Sequence, residues 1–251
     1  MKALRLENIQ RSFGGLPAVD GVSLTAPPGR ITGLIGPNGA GKTTVVNLIT
    51  GLLKVTSGRI MVGEDDMTEA EAPVLARAGV ARTFQNIRLI GDATVLENVV
   101  SGFHRHEKVG MVANLIGLPA MFRERRELEE RAYVLLERFG MTDLARHPAG
   151  SLSYGHQRRI EMMRALAMDP KVLLLDEPVA GMNDAEAYSL ADIFRGVADQ
   201  GVSILLIEHN MRFVMSLCEH LYVLASGRLI SEGGPDHVAN DPKVIQAYLG
   251  G

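Results

Sequence analysis

Two short segments carry residues whose types and spacing suit phosphate chemistry. The first is Gly36-Pro37-Asn38-Gly39-Ala40-Gly41-Lys42-Thr43, followed by Thr44. Its glycines let successive backbone N–H groups turn inward and approach an anion closely. A helix starting at its end adds the positive end of its dipole. Lys42 can reach β- and γ-phosphates, and the Thr43 hydroxyl is a hard oxygen ligand for Mg²⁺. The second segment, Val172-Leu173-Leu174-Leu175-Asp176-Glu177, ends an apolar run on two carboxylates. Asp176 suits Mg²⁺, directly or through water, and Glu177 suits the orientation and polarisation of an attacking water. Acidic residues often end apolar strands, and it is the pairing with a phosphate loop that gives these two their meaning. Together the segments imply chemistry on a Mg²⁺-bound nucleoside triphosphate.

The loop needs a strand before it and a helix after it, and the flanking residues supply both. Arg30 to Ile35 reads as a buried strand, and Thr43 to Gly51 has helical spacing with Gly51 as a C-cap. Upstream, residues 3–9 and 19–26 alternate apolar and polar positions, as half-buried strands do, before the turn Pro27-Pro28-Gly29. Downstream, Lys171 to Leu175 and Val202 to Ile207 read as buried strands. Leu221 to Ala225 and Arg228 to Ser231 read as a hairpin around Ser226-Gly227. The middle, about 88–159, is helical in pattern. Arg125 to Phe139 places Leu128, Ala132, Leu135, Leu136 and Phe139 on one helix face. Asp241, Pro242 and Gly250 bracket a final helix. The alternation predicts an α/β core with a helical subdomain inserted between its halves.

Composition narrows the function classes. The chain has 251 residues, 46% of them hydrophobic, and a net charge of −3. A real core is expected, and no basic field favours nucleic acid. The run Arg123-Glu124-Arg125-Arg126-Glu127 is mixed in sign and reads as a solvated helix face. Cys218 is the only cysteine, so no intrachain disulfide forms, which suits a reducing compartment. Met1 to Glu7 has no apolar run of the signal-peptide kind. No stretch reaches the roughly 18 apolar residues of a membrane span. A soluble chain is expected.

Leu152-Ser153-Tyr154-Gly155-His156, ahead of Gln157-Arg158-Arg159 and a helix expected at about 157–168, resembles the Leu-Ser-Gly-Gly-Gln signature of ABC-transporter ATPases. Other elements similar to that family follow in order. Phe13 stands where the family stacks adenine, and Gln85, in Thr83-Phe84-Gln85-Asn86, where it has the Q-loop. Ala180-Gly181-Met182-Asn183 matches the D-loop position and His209 the switch histidine. The resemblance implies a P-loop NTPase core with an antiparallel β subdomain and an inserted α-helical subdomain. It makes 1–251 one ATP-binding domain, with its core at about 1–87 and 160–251. It also implies ATP and Mg²⁺ as ligands, Gln85 as a second contributor to the metal site, and Glu177, His209 and Gln85 as the hydrolytic set. Two ATPase subunits would sandwich ATP, with Ser153 and Gly155 of one facing the γ-phosphate held by Lys42 of the other. Tyr154 and His156 depart from the signature, and Asn183 stands where the family has aspartate.

Within that family the chain is similar to ATPase subunits of branched-chain amino-acid importers. The stretches that carry this are Thr83 to Leu89 with Thr94 to Val99, Glu208 to Met215, and Asp241 to Gly250. The resemblance implies a second ATPase subunit, identical or paralogous, and integral membrane permeases. It implies, indirectly, a periplasmic or extracellular solute-binding protein, and a place at the cytoplasmic face of the cell membrane. Close relatives move urea, short amides or lipopolysaccharide, and these substrates stay open. A non-transport ABC protein usually has two cassettes, a long coiled coil or basic surfaces, none of which is present. A small-molecule kinase would leave Ser153, Gln85 and His209 without a role. The apolar stretch Val109 to Phe122 reads as a core helix or, alternatively, as part of a groove for a permease helix.

Overall fold

The computed structural model describes residues 1–83, 87–103 and 119–249. The chain divides into two compact units. One comprises Met1–Arg82, Lys171–Glu177 and the chain from Asp184 onward; the other comprises Thr83–Pro170 and Pro178–Asn183.

The first unit holds two sheets. Strands β1 (Leu4–Phe13), β2 (Leu16–Ala26), β4 (Ser57–Val62) and β5 (Asp65–Asp66) form an antiparallel sheet in the order β2-β1-β4-β5. Period-two alternation buries Leu4, Leu6, Val22, Leu24 and Ala26 on one face, which fixes the register. Both leading strands run past the limits expected at 9 and 19, because their pairing continues to Phe13 opposite Leu16. The second sheet has six strands: β3 (Ile31–Ile35), β6 (Val80–Arg82), β7 (Val172–Asp176), β8 (Ser203–Ile207), β9 (His220–Ala225) and β10 (Arg228–Gly233). Their order is β10-β9-β3-β8-β7-β6, parallel throughout except for the hairpin partner β10. Every residue of β3, β7 and β8 is buried, as a parallel sheet covered on both faces requires. Helix α1 (Lys42–Ile49) contributes Val45, Val46, Leu48 and Ile49 to a core cluster that also takes Leu4 and Leu6 from the first sheet and Leu34, Leu174 and Leu205 from the second. Helix α2 (Ala72–Ala78) leads into β6.

In the second unit, helix α3 (Val95–Ser101) packs on α4 (Pro119–Arg138) and α5 (Tyr154–Ala167). Thr94 and Glu97 close a capping box at the start of α3. The Thr94 N–H and then its hydroxyl hold the Glu97 carboxyl below the usual carboxylate range. Gly102 ends α3 where a Cβ would stand 2.5 Å from the Arg164 carbonyl oxygen, so only glycine permits this approach to α5. Two helices start earlier than their periodicity suggests. The amphipathic pattern begins at Arg125, but α4 runs from Pro119. The signature helix, expected at about 157, starts at Tyr154 because Ser153 caps it. The apolar stretch at 109–122 lies outside the described residues except for the α4 backbone from 119, and the expected helix-ending Gly250 lies outside them too.

Asn98, fully buried on α3, is the hub of this unit's polar interior. Its amide donates to the Ile90 and Thr94 carbonyls at 3.0 Å each, and its Oδ1 accepts from the Ile90 N–H at 3.0 Å. Asn98→Ala removes both sides of this exchange and strands buried backbone groups. It should cost roughly 1–3 kcal/mol, read as a lower urea midpoint with an unchanged slope.

Helices α6 (Asp184–Asp199) and α7 (Met211–Leu217) complete the first unit with α8 (Pro235–Ala239) and α9 (Pro242–Leu249). Asp241 begins α9 as expected, its carboxylate accepting from the Lys243 N–H at 2.8 Å. The thiol of buried Cys218 is pushed up to about 12 by burial and then by Glu219. It therefore stays a thiol, inert as a nucleophile at neutral pH.

Candidate active site

The glycine-rich loop spans the gap between β3 and α1 at the C-terminal edge of the parallel sheet, where open α/β sheets bind ligands. Close backbone approach dictates two of its glycines. A Cβ on Gly36 would lie 2.0 Å from the Leu224 carbonyl oxygen, and one on Gly41 2.5 Å from that of Ala18. Gly41 also has φ of 104°, a region that disfavours L side chains. The β9–β10 hairpin braces the loop, with the Gly227 N–H donating to Ala40 O at 2.9 Å. Lys42 folds back over the loop and donates to the Gly36 and Pro37 carbonyls at 2.7 and 2.9 Å. Burial lowers the pKa of its ammonium, while Glu177 and then Asp176 act to raise it. The cation is thus held over the loop carbonyls with its charge incompletely solvated. Lys42→Ala should weaken ATP binding by about 10- to 100-fold, the worth of a charge-assisted contact. A titration with fluorescent ATP would read it, and an unaltered affinity would remove Lys42 from the phosphate site.

The acidic strand end comes next to this lysine. Strand β8 lies between β3 and β7, and in register Ile207 pairs with both Leu34 and Asp176. Asp176 is 4% exposed. Its Oδ2 accepts from Arg82 at 2.9 Å, while the other Arg82 terminal nitrogen donates to Asn47 Oδ1 at 2.7 Å. Arg82, at the end of β6, is a member of the site that sequence reasoning missed. A three-residue strand has too little periodicity to read, and its partner lies 94 residues away. Glu177 follows with φ of 50°, an uncommon backbone for a residue other than glycine, fixed by its N–H donating to Ile207 O at 2.8 Å. His209 Nδ1 lies 3.6 Å from Glu177 Oε1, a proximity longer than a hydrogen bond. Below it, buried Glu208 accepts from the His209 and Asn210 N–H groups at 2.9 and 3.1 Å. Asn210 then caps α7 through the Phe213 N–H. Lys42, Asp176, Glu177 and His209 are therefore brought together at the ends of β3, β7 and β8.

These residues fit a nucleotide and its magnesium. A Cβ on Gly39 would meet nothing within 4 Å, so the loop is open there to phosphate oxygens. Among the described residues, no group of three or more His, Cys, Asp or Glu side chains could hold a metal alone. The exposed Thr43 hydroxyl and the buried Asp176 carboxylate supply two hard oxygens. Mg²⁺ commonly takes one or two protein ligands and completes its shell from phosphate and water. Phe13 lies at the β1–β2 turn, 46% exposed, with the Arg11 guanidinium over its ring at 4.9 Å. Gln85 lies outside the described residues.

In the second unit, Ser153 is the N-cap of α5, its Oγ accepting from the His156 N–H at 3.4 Å. The Gln157 amide donates to Leu152 O at 2.9 Å. Tyr154 is half exposed, and a Cβ on Gly181 would stand 3.3 Å from its ring. On α5, fully buried Arg158 pairs with Glu161 at 2.9 Å and lies 5.8 Å from the Tyr154 ring centre.

The ABC transporter family matches residues 19–180, more than half of the chain. The chain belongs to the ABC transporter family. A second family, the branched-chain amino acid ATP-binding cassette transporter, matches residues 228–251. Among curated relatives, BraF of Pseudomonas aeruginosa and LivG of Escherichia coli are both high-affinity branched-chain amino acid transport ATP-binding proteins. Each is 40% identical over 248 residues, 98% of this chain and 97% of the relative. A probable LivG of Methanocaldococcus jannaschii is 37% identical over 257 residues, covering 100% of this chain and 98% of its own. Among solved structures, a nucleotide-free ATP-binding cassette from an ABC transporter superposes with a TM-score of 0.85 at 35% identity, covering 99% of both chains. The structure of an ATP-binding cassette of an ABC transporter in its ADP conformation also gives 0.85 at 35% identity, covering 100% of both.

For an ABC cassette, the substitution of Tyr154 in the signature has a simple local consequence. Neither Tyr154 nor Gly155 has a positive φ, and both lie in the first turn of α5. The glycine that Tyr154 replaces is therefore not needed for backbone freedom at this position. The ring instead lies beside Gly181 within the same unit.

Proposed function

We propose that this chain is the ATP-hydrolysing subunit of an importer of branched-chain amino acids. It works as one of two cassettes, identical or paralogous, docked on integral membrane permeases at the cytoplasmic face of the membrane. A periplasmic or extracellular solute-binding protein supplies the complex. The observation that carries the reading is the match to BraF and LivG over 98% of the chain. The separate match of residues 228–251 to the branched-chain cassette family supports it. Among the described residues, no helix is long and apolar enough to cross a membrane.

The site geometry supports the following mechanism. The Gly36–Gly41 backbone and α1 receive the phosphates, and the Lys42 ammonium exchanges the Gly36 and Pro37 carbonyls for phosphate oxygens. Thr43 and Asp176 would hold Mg²⁺, with Gln85 as a further contributor, and the ion would neutralise charge on the phosphate oxygens. Glu177 orients water and takes up its proton, with His209 beside it. Ser153 and Gly155 of the second cassette donate to the γ-phosphate, so ATP joins the two chains and hydrolysis releases them. Differential binding of ATP to closed and open pairs then moves the permeases.

The test is to purify the complex with its permeases and binding protein and measure ATPase activity against a panel of solutes. Leucine, isoleucine or valine should stimulate turnover several-fold. Stimulation by urea or a short amide instead would transfer the chain to another substrate branch.

A further inference from the structure

We infer that His156 is a positioning residue for Ser153, setting the direction of the serine O–H so that it can donate to the γ-phosphate held by the second cassette. The inference rests on the reading of Ser153 as a phosphate donor across the pair.

His156 Nδ1 lies 3.1 Å from Ser153 Oγ, closer than the 3.4 Å of the backbone N–H bond to the same oxygen. Among the described residues, His156 provides the one side chain hydrogen-bonded to this hydroxyl. The rest of the segment is occupied elsewhere. Gln157 reaches back to the Gly150 and Leu152 carbonyls, and the Tyr154 ring lies beside Gly181. Ser153 itself is exposed and can meet a partner.

A serine hydroxyl has one proton and two lone pairs. The His156 N–H occupies one lone pair. If Nδ1 accepts, the serine proton points at the ring, and a phosphate oxygen would meet only a lone pair. If Nδ1 carries a proton, it donates to the second lone pair and the O–H turns outward. An oxygen that receives two N–H donors is polarised and becomes the stronger donor to an anion. Exchange of the proton between Nε2 and Nδ1 through water switches the two arrangements with no net uptake. Glutamine, the usual signature residue, can present either end of its amide. Histidine makes the choice depend on its tautomer.

The experiment uses the full chain in a Glu177→Gln background. It measures ATP-driven dimerisation by sedimentation, and ATP affinity of the single chain at low protein concentration. His156→Leu should weaken dimerisation about tenfold, the worth of one hydrogen bond to a charged group, without changing single-chain ATP affinity. His156→Asn, whose amide donates or accepts, should restore most of the loss. Adding His156→Leu to Ser153→Ala should produce no further weakening. If Ser153→Ala weakens dimerisation but His156→Leu does not, or if the two losses simply add, the positioning role is overturned alone. If Ser153→Ala dimerises like its parent, the reading of the signature falls, and the role of His156 with it.

Discussion

Glu177→Gln should bind ATP and almost stop hydrolysing it, with turnover falling at least about 100-fold, the lower end of what a positioned general base contributes. The amide matches the carboxylate in shape, so the uncommon backbone at φ of 50° and its hydrogen bond to Ile207 survive. What it loses is the ability to take a proton from water. Lys42 keeps Asp176 as a neighbouring carboxylate, so the phosphate cradle remains charged as it should be. Intact ATP then holds two chains together, and the variant should elute as a dimer with ATP and as a monomer with ADP. Hydrolysis at the wild-type rate would show that another group performs this step and would leave Glu177 a structural role only.

Arg82→Met should destabilise the protein by about 3–5 kcal/mol, the cost of breaking a buried ion pair from one side. The side chains of Arg82 and Asp176 are 8% and 5% exposed, so water cannot replace the lost contact. Asn47 Oδ1 loses its donor at the same time. At this chain length the loss corresponds to a melting temperature lower by about 6–20 °C. Adding Asp176→Asn should recover part of the stability, because a neutral amide needs no counter-charge, yet should leave hydrolysis impaired. Urea unfolding of the single and double variants decides it. A single variant as stable as the parent would mean the pair contributes little beyond a methionine of similar volume.

Much of the molecule was legible because the decisive signals are local. Glycine spacing from Gly36 to Gly41, ending on Lys42 and Thr43, specifies a phosphate loop wherever a strand precedes it and a helix follows. The apolar run ending on Asp176 and Glu177 places two carboxylates at a strand end by its pattern alone. The signature helix starts about three residues before its expected position, since apolar periodicity marks a buried face and does not locate a cap. Ser153, a cap residue by type, was the available clue.

Other features depend on contacts the chain makes with itself far along its length. The order β10-β9-β3-β8-β7-β6 puts β8 between the loop strand and the acidic strand, and no local pattern encodes that order. Arg82 reads as an ordinary charged residue until folding places it 2.9 Å from Asp176. Asn98 acquires its role only when burial makes it the partner of the Ile90 backbone. By itself, then, the sequence determined which groups could handle a phosphate, since chemistry and short-range spacing are written in residue type. Only the tertiary structure decided which buried partners hold those groups in place, because a polar side chain acquires its partner only when folding removes water and brings distant segments together.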